Sequence, residues 1–341
     1  MTTTRTVYGS VDEMIEDIAG GWPVRRSARD KHVDSLSGSH FETVRIGDHR
    51  FLLKRLGRRI DWLMRALGDS QDGNPPWVVL MWEEGLLDDL PDEIDHTIVA
   101  LTWDPLAEVA CLLLRDESDA FVPSGDTAIS VDQHRRFLDH MTALHAHFWN
   151  FIDPVGLMPP GARYTALTPA TGVREGAAGA DDRVPAALPG GWAALAEAHP
   201  AGHDVALALA IDPVPLVTAF QETPMTLVHG DWKYGNLGSL PDGRTVLVDW
   251  GWPGRSGACV DLAWYLAVNC DRLPESKEAA IAAFRVGLER RGVSTAGWWD
   301  RQLELALLGA FVQLGWSKTG DPAELRWWAD RAVATAGTLP R

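Results

Sequence analysis

The amino-acid sequence predicts an α+β protein whose first third is rich in strands and whose remainder is mainly helical. Up to about residue 116, short apolar segments, several with alternating side chains, are separated by turns of small and charged residues. After Val131, apolar residues recur every three or four positions over long stretches. A chain of 341 residues is long enough for two hydrophobic cores. We therefore predict two domains, 1–116 and 117–341.

The first domain is predicted to alternate strands with short helices. One amphipathic helix is predicted at 11–18, ending at two glycines, and another at 60–67. The predicted strands are 31–36, 41–46, 50–56, 77–83, 97–102 and 108–114. Gly47 and Asp48 are the residue types of a tight turn, so we expect 41–46 and 50–56 to pair as a hairpin.

The second domain is predicted to be helical around one pair of strands. Helices are predicted at 131–149, at 192–210 and from 261 to about 336. Residues 156–190 are rich in Gly, Pro and Ala and lack periodicity, so we predict a loop or lid there. The strand pair is predicted within 226–250, turning at 241–243.

Composition narrows the class of partner. A net charge of −16 argues against nucleic acid, because binding phosphates requires basic patches. It mildly favours a neutral or cationic ligand, although solubility alone is the better explanation of the acidic charge. Cys111, Cys259 and Cys270 are too scattered for a disulfide framework or a zinc site, so we expect buried free thiols. With no signal-peptide pattern and no apolar run long enough for a bilayer, we expect a cytoplasmic protein without a membrane partner.

One stretch carries the residue types that phosphoryl transfer needs. Residues 228–237 read Val-His-Gly-Asp-Trp-Lys-Tyr-Gly-Asn-Leu, and an apolar segment then ends at Asp249. A carboxylate can orient an acceptor hydroxyl and take its proton, while an amide oxygen and a second carboxylate can hold magnesium. Asp231, Asn236 and Asp249 supply this set, and the turn at 241–243 would bring the last two together.

The pattern His-Gly-Asp-x-x-x-x-Asn, followed by an apolar strand ending in Asp, resembles the catalytic loop of the aminoglycoside phosphotransferase and choline kinase superfamily. The resemblance implies the bilobal protein-kinase-like fold, with a small β-rich N-lobe at 1–116 and a larger, mainly helical C-lobe at 117–341. It implies a kinase that uses Mg²⁺ and ATP, or GTP, with Asp231 as catalytic base and Asn236 and Asp249 as metal ligands. Lys233 would contact the γ-phosphate, or face solvent as an ordinary loop lysine.

By the same resemblance, a strand lysine binds the α- and β-phosphates, and Lys54 lies on the expected strand. Its neighbour Arg55 should face the other side, because side chains alternate along a strand. The helix that follows contains no glutamate. We therefore expect Asp61 to be the carboxylate partner of Lys54, with Asp69 as the second choice.

The other nucleotide contacts are assigned by position. A short segment of small residues stands where the superfamily covers the phosphates, and such residues can present backbone N–H groups to phosphate. Residues 112–116 fall at the expected hinge, where a leucine would pack on the base. The candidate contacts at these two places are Ser37, Ser39, Leu113, Leu114 and Arg115. Arg115 and Asp116 are further expected to form a structural pair.

Two residues are expected to support the catalytic loop. His229 is predicted to pack beneath the loop and orient it. The resemblance places Asp261 where an acidic residue braces the loop. Asp261 also opens a predicted helix, where its carboxylate would cap backbone N–H groups, and one residue can serve both purposes.

The acceptor site is predicted in the helical domain. Its candidate residues are Asp271, Asp300, Glu304 and Trp298. Tryptophans can bracket a sugar ring or a cation, but helix packing explains most of them as well. Members of the superfamily phosphorylate antibiotics, sugars and choline, and we expect an aminoglycoside or amino-sugar hydroxyl as acceptor, with a role in antibiotic resistance. A neutral sugar, nucleoside or macrolide is the alternative acceptor, and a catalytically silent nucleotide-binding protein is the alternative class.

Overall fold

The computed structural model describes residues 5–28, 39–179 and 182–340. The chain divides into two units, the first comprising Met1–Ser124 and Gly235–Gly251, the second Gly125–Tyr234 and Trp252–Arg341. The first unit therefore takes in a segment from late in the chain, in addition to the residues before the boundary predicted at 116. The predicted strand 31–36 lies outside the described residues.

Strands and helices follow one another along the chain as follows. The strands are β1 (Val7–Tyr8), β2 (Val24–Ala28), β3 (His40–Ile46), β4 (His49–Leu56), β5 (Ile94–Asp95), β6 (Ile98–Asp104), β7 (Val109–Arg115), β8 (Thr226–Val228), β9 (Leu237–Ser239), β10 (Thr245–Leu247) and β11 (Gly254–Ser256). The α-helices are α1 (Val11–Ala19), α2 (Trp62–Leu67), α3 (Trp77–Glu84), α4 (Val131–His147), α5 (Ala162–Ala166), α6 (Pro169–Ala177), α7 (Arg183–Ala198), α8 (Pro200–Ile211), α9 (Val214–Phe220), α10 (Cys259–Val268), α11 (Lys277–Arg290), α12 (Trp299–Leu314) and α13 (Pro322–Ala336). Short 3₁₀ turns occupy Gln71–Gly73, Tyr234–Asn236, Cys270–Arg272 and Gly315–Ser317.

The larger sheet of the first unit has the strand order β1-β6-β7-β4-β3-β2 and is antiparallel except where β1 lies beside β6. The predicted hairpin is confirmed: β3 and β4 are joined by two residues, with Gly47 at φ 59°. Positive φ is what a two-residue hairpin turn demands, and glycine adopts it without strain. This hairpin places β4, the strand that carries Lys54, in the interior of the sheet.

Helix α1 covers one face of this sheet, as its apolar spacing predicts. Ser10 caps its first turn and Gly20 ends it in the left-handed region. The core beneath it is formed by Met14, Ile15, Ala19, Val44, Ile46, Leu53, Ala100, Cys111 and Leu113. Because Leu53 and Leu113 face this core, their neighbours on β4 and β7 face the opposite side of the sheet.

A smaller sheet in the first unit has the order β5-β10-β9. β9 and β10 form the antiparallel hairpin predicted from the turn at 241–243, while β10 pairs in parallel with β5. The pairing with β5 anchors Gly235–Gly251 to the first unit.

The second unit is mainly helical. α10 and α12 are buried along most of their length and pack against each other, while α4 packs on α11. Its two short strands, β8 and β11, pair antiparallel with each other. Cys111 and Cys259 are buried free thiols as predicted, whereas Cys270 is partly exposed.

The strand predicted at 77–83 is wrong, because this segment forms helix α3. The helix begins after Pro76 and ends at Gly85 in the left-handed region. Trp77, Val78, Val79, Met81 and Trp82 are all buried, so the helix is apolar around most of its circumference. A continuous apolar run of this length does not distinguish a buried strand from a buried helix.

The loop predicted at 156–190 is also wrong, since α5, α6 and the first half of α7 occupy it. Its glycines and prolines serve helix ends and close packing. Thr168 caps α6 and Pro169 takes the first helical position, where proline is tolerated. A Cβ on Gly172 would lie 2.7 Å from the carbonyl oxygen of Pro185, so glycine permits α6 and α7 to approach.

The helix predicted at 192–210 is divided in two. α7 ends at Ala198 and α8 begins at Pro200. Proline cannot continue a helix without losing a hydrogen bond and clashing with the preceding turn.

Among the described residues, no single helix is long and apolar enough to cross a membrane. Helices α8 and α9 together pass that test of length and composition, but with an 83° bend between them.

Candidate active site

The loop after β8 is held by a carboxylate from α10. Asp261 accepts hydrogen bonds from the backbone N–H of His229 at 2.9 Å and of Gly230 at 2.7 Å. The Nδ1 atom of His229 accepts from the N–H of Asp231 at 3.2 Å. α10 shows no side-chain cap among its described contacts, so Asp261 gives its oxygens to the loop rather than to the helix. Three consecutive backbone donors are thereby satisfied inside the protein, which fixes the conformation of the loop.

Asp231 is 3% exposed, and its side chain is oriented through both of its oxygens. Oδ1 accepts a hydrogen bond from Nε1 of Trp264 at 2.9 Å, and Oδ2 pairs with Nζ of Lys233 at 2.6 Å. Trp264 is buried, whereas the side chain of Lys233 retains 23% exposure. Asp231 is thus held by one buried donor and one partly exposed cation.

In the first unit, Lys54 and Asp249 form an ion pair. Lys54 Nζ lies 2.7 Å from Asp249 Oδ1, with Lys54 only 8% exposed. Arg55 faces the other side of β4 and pairs with Glu42, as strand alternation predicts. Asp249 has φ 66°, which is uncommon for a residue other than glycine and is found preferentially at functional sites.

The residues predicted to bind magnesium lie at the two ends of the β9–β10 hairpin. Asn236 precedes β9 and Asp249 follows β10, and the N–H of Val248 donates to the carbonyl of Asn236 at 3.1 Å. Among the described residues, no three His, Cys, Asp or Glu side chains cluster as an all-protein metal site. One carboxylate and one amide suit Mg²⁺, which usually takes few protein ligands and completes its shell with phosphate and water. The residues present fit this ion.

The carboxylate partner predicted for Lys54 is wrong. Asp61 caps α2, where Oδ1 accepts from the N–H groups of Leu63 and Met64, and its Oδ2 accepts from the Ser39 hydroxyl at 3.3 Å. Asp69, the second choice, accepts from the N–H of Trp77. Lys54 pairs instead with Asp249, which the sequence separates from it by 195 residues. Ser39 is buried, and Ser37 lies outside the described residues.

The register between β4 and β7 separates the two leucines predicted at the hinge. Lys54 lies opposite Leu112, and Leu53 lies opposite Leu113. Leu113 is therefore in the core beneath α1, on the face away from Lys54, while Leu114 lies on the same face as Lys54. The predicted contact of Leu113 with the base is wrong for this reason, and Leu114 stays the candidate.

The pair predicted between Arg115 and Asp116 does not form. Arg115 pairs with Asp95, and Asp116 accepts from Arg50. Consecutive residues on an extended segment point in opposite directions, so each side chain finds a partner on its own side.

The acceptor residues predicted in the helical region are dispersed. Trp298 is 9% exposed, packs on Trp149 with ring centroids 5.4 Å apart, and donates its N–H to the carbonyl of Ser294. It therefore serves helix packing. Asp300 and Glu304 are exposed one turn apart on α12, and Asp271 is exposed in the turn after α10.

Three residues beside the loop were not connected with it from the sequence. Trp264 lies three positions after Asp261, so one face of α10 presents both to the loop, and this spacing was a usable signal. His145 of α4 is buried with Nε2 3.5 Å from Asp261, and burial lowers its pKa below the ordinary value. Arg163 of α5 lies against Gly230. It was not identified from the sequence because residues 156–190 were predicted to form a loop.

Comparison with solved structures identifies the fold. Choline kinase LicA from Streptococcus pneumoniae matches with a TM-score of 0.52 and 12% sequence identity, covering 96% of this chain and 98% of that one. LicA in complex with AMP matches with a TM-score of 0.51 and 12% identity, covering 97% and 99%. A microcompartment-associated aminopropanol kinase gives 0.49 and 14%, covering 95% of each chain. No family model and no curated protein matches the sequence. Over nearly its whole length the chain has the fold of choline kinase LicA, and the predicted α+β, protein-kinase-like fold is confirmed.

Proposed function

We propose that this chain is a magnesium-dependent phosphotransferase that moves the γ-phosphate of ATP, or GTP, to a hydroxyl of a small molecule. The observation that carries the proposal is the burial of Asp231 together with its hydrogen-bond partners. A buried carboxylate on a loop whose backbone is fixed by Asp261 is oriented by Trp264 and paired with a partly exposed lysine. This is the arrangement that a catalytic base for an acceptor hydroxyl requires.

Each group then has a defined task. The carboxylate of Asp231 orients the acceptor hydroxyl and takes its proton as the oxygen attacks the γ-phosphorus, and the bond from the γ-phosphorus to the β–γ bridging oxygen breaks so that the nucleoside diphosphate leaves. Lys233 exchanges its contact with Asp231 for the γ-phosphate and offsets negative charge that develops on the transferring group. Lys54 would bind the α- and β-phosphates, and Asn236 and Asp249 would hold Mg²⁺, which would supply positive charge to the phosphates.

For the acceptor we propose an alcohol that also carries an amine, such as an aminoglycoside or an amino sugar. The net charge of −16 supports this class, because it attracts cations. The shared fold with choline kinase LicA adds choline to the acceptors to be tested. Neutral sugars, nucleosides and macrolides form the contrasting group.

The test is release of ADP that depends on both Mg²⁺-ATP and the acceptor, measured across these two groups. Asp231→Asn keeps an oxygen for Trp264 but removes the base, so turnover should fall at least about a hundredfold. Calorimetry should show that the variant binds Mg²⁺-ATP with unchanged affinity, because Asp231 acts on the acceptor. Asp132→Ala, an exposed aspartate on α4, is the matched control. Full turnover in Asp231→Asn would refute the assignment of Asp231 as the catalytic base. Nucleotide binding without ADP release in the presence of any acceptor would favour a catalytically silent nucleotide-binding protein.

A further inference from the structure

The most unusual buried side chain in the second unit is Arg163. The residue lies on α5 and is 1% exposed. None of its three guanidinium nitrogens has a hydrogen-bond partner among the described residues. Arginine carries five N–H donors and keeps its charge in proteins. A guanidinium that is buried without such bonds is costly, and proteins retain buried charges where other charges compensate them.

The compensating charges belong to the catalytic loop and its brace. Burial lowers the pKa of the Arg163 guanidinium, while Tyr164 and the carboxylates of Asp261 and Asp231 act in the opposite direction. Both aspartates are themselves buried, at 0% and 3% exposure. Two buried negative charges and one buried positive charge are therefore close enough to interact.

Arg163 also contacts the loop directly. A Cβ built on Gly230 would lie 2.9 Å from its Nη2 atom, so the guanidinium rests against the α-carbon of this glycine. Gly230 donates its N–H to Asp261 and precedes Asp231. The guanidinium thus lies where it can fix both the backbone that carries Asp231 and the charge of its side chain.

We propose that Arg163 is a positioning residue of this site, whose buried positive charge stabilises Asp231 and Asp261 and holds the Gly230–Asp231 turn in place. This role rests on the function proposed above as far as catalysis is concerned. The charge coupling itself does not depend on that function. Lys233 pairs with Asp231 from the partly exposed side, whereas Arg163 is enclosed by the protein.

The kinetic test compares two substitutions that differ in charge. Arg163→Met keeps much of the volume and removes the charge, and it should lower kcat on the order of tenfold to a hundredfold while the KM for Mg²⁺-ATP stays within about twofold. Arg163→Lys keeps the charge and should recover most of that loss. Arg136→Met, an exposed arginine on α4, is the matched control and should leave kcat unchanged. Wild-type kcat in Arg163→Met, or equal damage in Arg163→Lys, would overturn the proposal.

A second measurement separates this proposal from the proposed function. Urea unfolding of Arg163→Met, Asp231→Asn and the double variant forms a cycle that isolates the interaction between the two side chains. We expect Arg163→Met to lower the unfolding midpoint less in the Asp231→Asn background than in the wild type. Additive shifts would overturn the charge coupling, even if no acceptor is ever turned over. If Arg163→Met does not fold, Arg163→Gln, which also removes the charge, takes its place in both tests: kcat should fall at least about tenfold, and its midpoint loss should shrink in the Asp231→Asn background. Wild-type kcat or additive midpoints in Arg163→Gln would then overturn the proposal.

Discussion

Gly230 is the position at which a single methyl group should do the most damage to the site. Its φ of +85° lies in the left-handed region, which disfavours any residue with a Cβ. A Cβ at this place would lie 2.2 Å from the carbonyl oxygen of Trp252 and 2.7 Å from its Cβ. The first of these atoms is backbone next to β11, so it cannot turn aside as a flexible side chain would.

Two contributions to the loss of stability can be separated. The left-handed conformation alone costs an alanine about 1–2 kcal/mol. Forcing a methyl group into a packed space costs about 1–3 kcal/mol more. Gly292 provides the matched comparison in the same unit, because its φ is +83° and a Cβ there would meet nothing within 4 Å. Gly292→Ala should therefore cost only the first contribution, and Gly230→Ala should cost both.

Urea unfolding followed by tryptophan fluorescence measures the difference, since the chain has 16 tryptophans. We expect Gly230→Ala to lose about 2 kcal/mol more than Gly292→Ala. Turnover should fall sharply in Gly230→Ala only, because the shifted turn carries Asp231. Equal losses of stability in the two variants would refute the reasoning, since the clash with Trp252 would then have no energetic consequence.

Two further predictions concern the first unit. Asp249→Ala should weaken Mg²⁺-ATP binding at least about tenfold, because it removes a proposed metal ligand and leaves Lys54 without its ion pair; calorimetry showing normal affinity would contradict the metal assignment. Burial raises the pKa of Asp69 to about 7, from an ordinary value of 3.8. The stability that Asp69 contributes is thus fully present below pH 3.8 and is lost as the pH rises to about 7. Over this range the free energy of unfolding falls by up to about 4 kcal/mol. Asp69→Asn should therefore become more stable relative to the wild type as the pH rises through this range, as measured by urea unfolding. A difference in unfolding free energy between the two proteins that does not change with pH would contradict this prediction.

The parts of the fold that the sequence predicted are those fixed by local chemistry. The β3–β4 hairpin follows from alternating side chains around Gly47, and α1 follows from a serine cap, an apolar stripe and a terminal glycine. The predictions for 77–83 and 156–190 were wrong because tertiary packing decides the secondary structure of these segments. A short apolar run that is buried on all sides can form a strand or a helix, and only its packing partners decide which. Glycines become packing residues when another helix lies against them.

The candidate site divides in the same way. Asp231, Asn236 and Asp249 could be proposed from the sequence because their spacing is local to one loop and one hairpin. The pairing of Lys54 with Asp249 joins residues 195 positions apart and follows from the parallel contact between β5 and β10, which no local pattern reveals. Lys54 thus pairs with Asp249 instead of the predicted Asp61 because of the sheet topology, which the sequence of the following helix does not reveal.

This topology has a consequence for how variants should behave. Because 235–251 returns to the first unit, the residues proposed to bind Mg²⁺ and the α- and β-phosphates, which are Lys54, Asn236 and Asp249, are all supported by the sheets of that unit. Asp231 is supported by side chains of the second unit, among them Asp261, Trp264 and Arg163. A protein built this way can lose transfer while keeping its affinity for nucleotide, or lose that affinity while the catalytic loop stays intact. Measuring binding and turnover separately for each variant therefore tests which unit supports which task, and a variant of α5 or α10 that abolished nucleotide binding while the protein remained folded would contradict the division.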